Sequence, residues 1–196
     1  MVSVRRLVVE AAKGDLARVQ KLLAMGAEVD EPDEYGSTAL MEACFCGRTA
    51  IAEFLLTHGA SVHARDNDGS TPLIHACVHG DEELVRLLLE AGADADAKNR
   101  WGLTPLSEAS FWGHKPVVAQ LLEHGADIDD EDGNGRNALF WANLEGKTDV
   151  VALLLEKGAK AARQETPSDS VPPWVLFQGN QAGTRFPDDM IASFLK

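Results

Sequence analysis

The sequence predicts an all-α solenoid in which helix-turn-helix units stack in a row and are joined by short hairpin-like loops. Glycines recur every 33 residues in three series: Gly14, Gly47, Gly80, Gly113 and Gly146; Gly26, Gly59, Gly92, Gly125 and Gly158; Gly36, Gly69, Gly102 and Gly135. A fixed period of this length is typical of repeat architectures, because one unit cannot bury its apolar side alone. The predicted repeat domain covers residues 1–162, with units at 3–32, 33–65, 66–98, 99–131 and 132–162.

Each unit is predicted to hold two short helices, and the third unit shows the pattern most clearly. Thr71 can cap a first helix with its hydroxyl, and Gly80 can end that helix in the left-handed conformation. Asp81 can then cap a second helix, which carries the apolar stripe 87–89 and ends near Gly92. The result is a helix, a tight turn, a second helix and a polar connection.

These units closely resemble the ankyrin repeat, which has the same period and whose first helix opens with Thr-Pro-Leu-His. The corresponding stretches begin at Thr38, Thr71, Thr104 and Asn137, and the resemblance extends from about Ser3 to Ala162. It implies the stacked helical fold and a function in binding other proteins. The first unit lacks the opening hairpin and looks like an N-terminal cap.

The fifth and fourth units depart from the family pattern at three positions. Asn137 replaces the capping threonine, and Trp141 stands where a small or aliphatic residue is commoner. Gln120 interrupts a leucine stripe in the fourth unit. We expect local packing to differ at these positions.

Charge and apolar content limit the classes of partner. The chain has 31 acidic and 18 basic side chains, a formal net charge of -13, which opposes binding to nucleic acid and favours a basic partner. No apolar run is long enough for a secretory signal or a membrane span. Three cysteines fit a reducing environment. We therefore expect an intracellular protein, cytoplasmic or nuclear, that is monomeric and binds no membrane.

The resemblance also implies a binding surface. In the ankyrin family the partner usually meets the hairpin tips and the first helix of each unit, at positions that the fold leaves free to vary. Large aromatic side chains at such positions are typical of interaction sites. The predicted partner-binding residues on this concave surface are Tyr35, Phe45, Cys46, His79, Trp101, Leu103, Phe111, Trp112 and Arg136. The alternative for Phe45 and Phe111 is that they pack between repeats or against the tail.

The acidic stretch 130–135 has two alternative interpretations, a calcium site and a structural loop. Asp130, Asp132 and Asn134 alternate as in the opening of an EF-hand loop, with a glycine in sixth place. The twelfth position, however, holds Trp141 instead of a glutamate. An acidic loop in register with the preceding units explains the stretch better.

Histidine and cysteine offer little support for a metal or catalytic site. His75 and His79 lie four residues apart and could share a metal, but capping and packing explain them equally well. Cys44 and Cys77 occupy the same buried position one period apart, whereas Cys46 is the more reactive candidate thiol. Since the repeat accounts for the glycines and most carboxylates, we predict no catalytic, cofactor-binding or metal site, and no enzyme activity.

Residues 163–196 form a predicted linker and a capping or docking tail. Within it, 171–177 is apolar and extended, and 187–195 has the spacing of a short helix. The tail could cap the fifth unit, or Trp174 and Phe177 could contact the repeats or a partner. Residues 175–179 also resemble a protease site that is engineered into recombinant proteins.

The predicted function is that of a non-catalytic scaffold, adaptor or inhibitor that recognises a protein or peptide. One alternative is a targeting or regulatory domain of a larger enzyme or signalling protein. Another is a small-molecule-binding or metal-dependent activity, which a deep pocket beside Trp112 would favour.

Overall fold

The computed structural model describes residues 4–162, with side chains from Arg6 onward. This range contains ten α-helices in five consecutive pairs. We call the first helix of each pair the inner helix and the second the outer helix. Their bounds are α1 Val4–Lys13, α2 Leu16–Ala24, α3 Ala39–Phe45, α4 Thr49–Thr57, α5 Pro72–His79, α6 Glu82–Glu90, α7 Pro105–Trp112, α8 Lys115–Glu123, α9 Ala138–Leu144 and α10 Thr148–Glu156. None of these helices combines the length and apolar character needed to cross a bilayer.

The inner helices pack in one layer, each against the next, and the outer helices form a second layer. Alanine makes the close approach of the inner helices possible, since its side chain is fully buried at the equivalent positions Ala43, Ala76, Ala109 and Ala142. Leucine at each unit's first turn fills the core beside it. The predicted all-α stack of helix-turn-helix units is confirmed.

Local side chains set the helix ends where the sequence predicts them. The Ile74 N–H donates to the Thr71 hydroxyl, and the Leu84 N–H donates to the Asp81 carboxylate. Gly80 ends α5 with a φ of 87°, the left-handed value that favours glycine. At the fifth unit Asn137 still caps its helix, because its side-chain oxygen accepts from the Phe140 N–H at 3.1 Å.

An aspartate or asparagine organises the loop before each inner helix from α3 onward. In the third unit one Asp66 carboxylate oxygen accepts from the backbone N–H groups of Asp68 and Ser70, at 2.9 and 2.8 Å. The Asp66 N–H in turn donates to the Ser70 carbonyl oxygen. Asp33, Asn99 and Asp132 fold their own loops in the same way.

Backbone hydrogen bonds also join neighbouring loops. The Asn67 N–H donates to the Tyr35 carbonyl oxygen at 2.9 Å, and the Arg100 N–H donates to the Asp68 carbonyl oxygen at 2.8 Å. Equivalent residues of three successive units therefore lie side by side. Because of this regular spacing, residues one period apart in the sequence form a continuous surface.

A second set of contacts between units explains part of the acidic composition. Asp30 accepts from the Ser61 N–H, Asp96 from the Asp127 N–H, and Asp129 from the Lys160 N–H, at 2.9, 2.9 and 2.8 Å. Each carboxylate lies 31 residues before its donor. These aspartates connect one unit to the next, so their carboxylates have a structural role.

Candidate binding surface

The inner surface, as we use the term, consists of the loop tips and the last turns of the inner helices. Six of the nine predicted contact residues retain solvent exposure there. His79 is exposed, and the others are partly exposed: Tyr35, Phe45, Cys46, Trp101 and Trp112.

The other three predicted residues, Leu103, Phe111 and Arg136, are buried, with exposed fractions of 4%, 3% and 5%. The expectation that they are accessible on the surface is therefore corrected. Phe111 packs edge-to-face against Trp112 and Trp141, with ring centroids 5.3 and 5.9 Å apart. This is the packing between units that the sequence left open for Phe111.

Arg136 is buried because neighbouring groups neutralise and cover it. Its Nε atom donates to Asp132 at 2.8 Å, and its guanidinium carbon lies 4.5 Å from the Trp141 ring centroid. Asp132 also accepts from the backbone N–H groups of Asn134 and Arg136. The alternating acids that resemble an EF-hand are thus used by the loop itself, and Trp141 is a core residue only 1% exposed.

Trp101 is supported from the preceding unit. The Arg100 guanidinium lies 4.4 Å from the Trp101 ring centroid, within cation–π range, and the same guanidinium contacts Asp68 at 2.8 Å. The backbone N–H of Trp101 donates to the Asn99 side-chain oxygen at 3.0 Å. Charge and backbone contacts therefore fix the tip of the fourth unit relative to the third.

Trp112 lies on the last turn of α7, next to Phe111. One turn earlier, Glu108 is only 2% exposed. Burial raises the pKa of Glu108 to about 8, and interaction with the Trp112 side chain opposes the rise. An uncharged carboxyl group therefore lies one helical turn before Trp112 at neutral pH.

His75 links Phe45 to the third unit. The His75 Nε2 atom lies 2.9 Å from the Asp66 carboxylate, and its ring meets Phe45 edge-to-face at 5.9 Å. Nearby, burial raises the pKa of Glu42, although the charge of His75 opposes the rise. The histidine thus bridges a loop and an inner helix of neighbouring units.

The remaining histidine and cysteine positions make separate contacts. His79 packs against Gly47, so that a Cβ added to this glycine would collide with the imidazole ring. Burial and the nearby Glu42 carboxylate raise the pKa of the Cys46 thiol, which makes it a weaker nucleophile than expected. Cys44 and Cys77 are buried, as predicted.

Two supporting residues, Arg100 and Glu108, were not predicted from the sequence. Superposing the units by their period places Glu108 on Glu42, His75 and Trp141, which marks a variable position on the inner helix. The period alone does not reveal that Glu108 is buried, because this depends on the neighbouring helices.

A groove of about 410 Å³ lies in the outer layer, between α6 and α8. Its lining residues are Glu82, Glu83, Arg86, Pro116, Ala119, Gln120 and Glu123. The groove coincides with the polar substitution at Gln120, where equivalent units carry Phe54, Leu87 or Leu153. It belongs to the outer helices and is separate from the inner surface.

Comparison with known proteins identifies the repeat. The family model described as ankyrin repeats, in three copies, matches residues 7–99 and again residues 91–165. No curated protein matches the chain significantly.

Proposed function

The chain belongs to the ankyrin-repeat family, and on this basis we propose that it is a non-catalytic scaffold, adaptor or inhibitor that holds a protein or peptide against its inner surface. Ankyrin repeats generally mediate protein–protein interaction and are typically non-catalytic. The observation that carries the proposal is the row of partly exposed aromatic residues at positions the fold does not require to be aromatic. Its members are Tyr35, Phe45, Trp101 and Trp112, with His79 and Cys46 beside them.

Preorganisation supports this assignment. Backbone hydrogen bonds between loops hold Tyr35 of the second unit, Asp68 of the third and Arg100 of the fourth in line. Arg100 covers the Trp101 ring, and Phe111 supports Trp112. A surface that is already ordered loses less conformational entropy on binding, so each contact contributes more to affinity.

We propose further that the partner presents basic side chains. The net charge of -13 attracts cations at long range, and indole and phenol rings bind them at short range. Glu34 is exposed and precedes Tyr35 in the loop of the second unit. Association should therefore slow as salt is added, since steering by exposed charges is screened.

The double variant Trp101→Ala, Trp112→Ala tests the proposal by affinity capture from cell extract, followed by calorimetry with the purified partner. We expect capture to be lost while the helical circular dichroism is retained. Trp112→Ala alone should weaken binding by at least about 2 kcal/mol, roughly 30-fold. Leu155→Ala is the matched control, because Leu155 is 55% exposed but belongs to an outer helix. Undiminished capture by the double variant would refute the proposed surface.

Trp174 and Phe177 lie outside the described residues, so their contact with the repeats stays a proposal, as does a monomeric state. Capture with the chain ending at residue 162 tests the first point. A tail that competes for the surface predicts stronger binding after its removal. Sedimentation velocity measures the second.

A further inference from the structure

Glu108 is an unusual residue for the interior of a stacked helical protein. Its side chain is 2% exposed and lies on α7 between the neighbouring inner helices α5 and α9. Burying a carboxyl group costs free energy unless a polar partner compensates. The equivalent positions hold Glu42, His75 and Trp141, so the fold itself does not require an acid here.

The neighbour that Glu108 serves is Trp112. The two residues are four apart on α7 and therefore lie on the same face of the helix, one turn from each other. The Nε1 atom of the Trp112 indole is itself buried, and the Trp112 side chain lowers the pKa of Glu108, so it favours the ionised carboxylate. Phe111, itself held by Trp141, contacts the same indole edge-to-face at 5.3 Å.

We propose that Glu108 is a positioning residue of the inner surface, whose buried carboxyl group holds the Trp112 indole in its binding orientation. This role rests on the proposed binding function and adds a pH dependence to it. In other units the equivalent pairs are Glu42 with Cys46, His75 with His79 and Trp141 with Glu145, so among these only the fourth unit places an acid one turn before an indole.

The protonation state of Glu108 is expected to make the orientation of the Trp112 indole depend on pH. Because burial raises the pKa of Glu108 to about 8, the group is uncharged at neutral pH and ionises just above it. The carboxylate that forms must gain water or stronger donors, and either change shifts the adjacent indole.

Other titratable groups near α7 respond differently. Burial raises the pKa of Cys77 on α5 well above 9, and burial lowers the pKa of His114 before α8. Both therefore stay uncharged where Glu108 ionises. Further ionisable groups near α7 are the Asp132 and Arg136 pair before α9, His75 on α5 in contact with Asp66, and Lys147, which lies close to Gly113.

Nuclear magnetic resonance of the full chain tests the inference without a partner. The indole N–H of Trp112 is assigned from Trp112→Phe or, should that variant not fold, from through-space contacts to the Phe111 ring. Its cross-peak is then followed from about pH 6 to about pH 9.5, a range that spans the ordinary histidine and cysteine pKa values. Glu108→Gln removes the titrating group with little change in shape, and Glu42→Gln is the matched control at the equivalent inner-helix position two units earlier.

We expect the Trp112 cross-peak to shift with a midpoint near pH 8. The shift should persist in Glu42→Gln and vanish in Glu108→Gln. A pH-independent Trp112 cross-peak, or a shift that survives in Glu108→Gln, would overturn the inference. The proposed binding function fails separately, if the double tryptophan variant still captures its partners.

Discussion

The Asp66 carboxylate lies 2.9 Å from His75 Nε2, and this contact joins the loop of the third unit to the inner helix that follows. The two residues are nine apart. The same spacing relates Asn99 to Glu108 and Asp132 to Trp141. The residues at these two positions thus change from unit to unit, while the loop keeps its backbone hydrogen bonds.

Asp66→Asn should remove the contact with His75 and preserve the loop. Asn99 shows that asparagine accepts the same two backbone hydrogen bonds in the fourth unit. We expect a loss of about 1 kcal/mol in the free energy of unfolding, measured by urea titration near pH 6.

The loss should depend on pH with a definite sign. Burial tends to raise the pKa of Asp66, but the hydrogen bond and charge of His75, with the loop N–H groups, hold it below its ordinary value. Such an acid stabilises the protein above its unfolded pKa, and this stability is lost as pH falls through the folded pKa. The difference between the two proteins should therefore shrink as the pH falls below 3.8, the ordinary pKa of an aspartate. A difference that does not change with pH would contradict this origin.

His63→Asp should stabilise the protein. Residue 63 lies 31 residues before Asp94, in register with the aspartates that accept from the backbone of the next unit. Histidine has no carboxylate to offer there. We expect a gain of about 0.5–1.5 kcal/mol by urea titration, with His58→Asp as the control, because residue 58 is outside this register. Equal changes in both variants would point to net charge instead.

Gly36→Ala should cost more stability than Gly26→Ala. Both glycines have positive φ, 79° and 88°, so both substitutions carry similar backbone strain. An added Cβ at Gly36 would lie 2.8 Å from the Asn67 backbone nitrogen, whereas none of the surroundings of Gly26 lies within 4 Å. We expect an excess loss of about 1–2 kcal/mol in thermal or urea unfolding. Equal losses would show that the neighbouring loop yields without cost.

Glu108→Gln should stabilise the protein above neutral pH. The native state keeps a proton up to about pH 8, but the unfolded chain releases it near the ordinary pKa of 4.5. Stability therefore falls across this interval in the wild type, because the native state binds more protons. The variant should gain on the order of 1–3 kcal/mol near pH 8 and little near pH 4. Glu53→Gln, at an exposed residue, should leave the pH profile unchanged.

Features encoded by adjacent residues were predictable from the sequence. Thr71, Gly80 and Asp81 shape helix ends through contacts only a few residues away, so their roles could be read directly. The period of the glycines then fixed the order of the helices. Local capping and regular spacing were sufficient to predict the fold, because each unit forms the same pair of helices.

The candidate site was less predictable, since its details depend on neighbouring units. Successive helical residues point about 100° apart. Phe111 faces inward and packs against Trp141 of the next unit, whereas Trp112 stays partly exposed. Arg136 was expected at an accessible tip, but Asp132 and Trp141 bury it. The Phe111–Trp141 contact joins residues of two different units, so the pattern of one unit does not predict it.

The hydrogen bonds between units have a kinetic consequence. Those from Arg48 to Ala12, from Thr49 to Asp81 and from Arg65 to Lys98 span 36, 32 and 33 residues. The chain therefore never has to close a long loop to form them, however many units it contains. Folding can start at whichever pair of units forms first and spread outward, and its rate should depend little on total chain length.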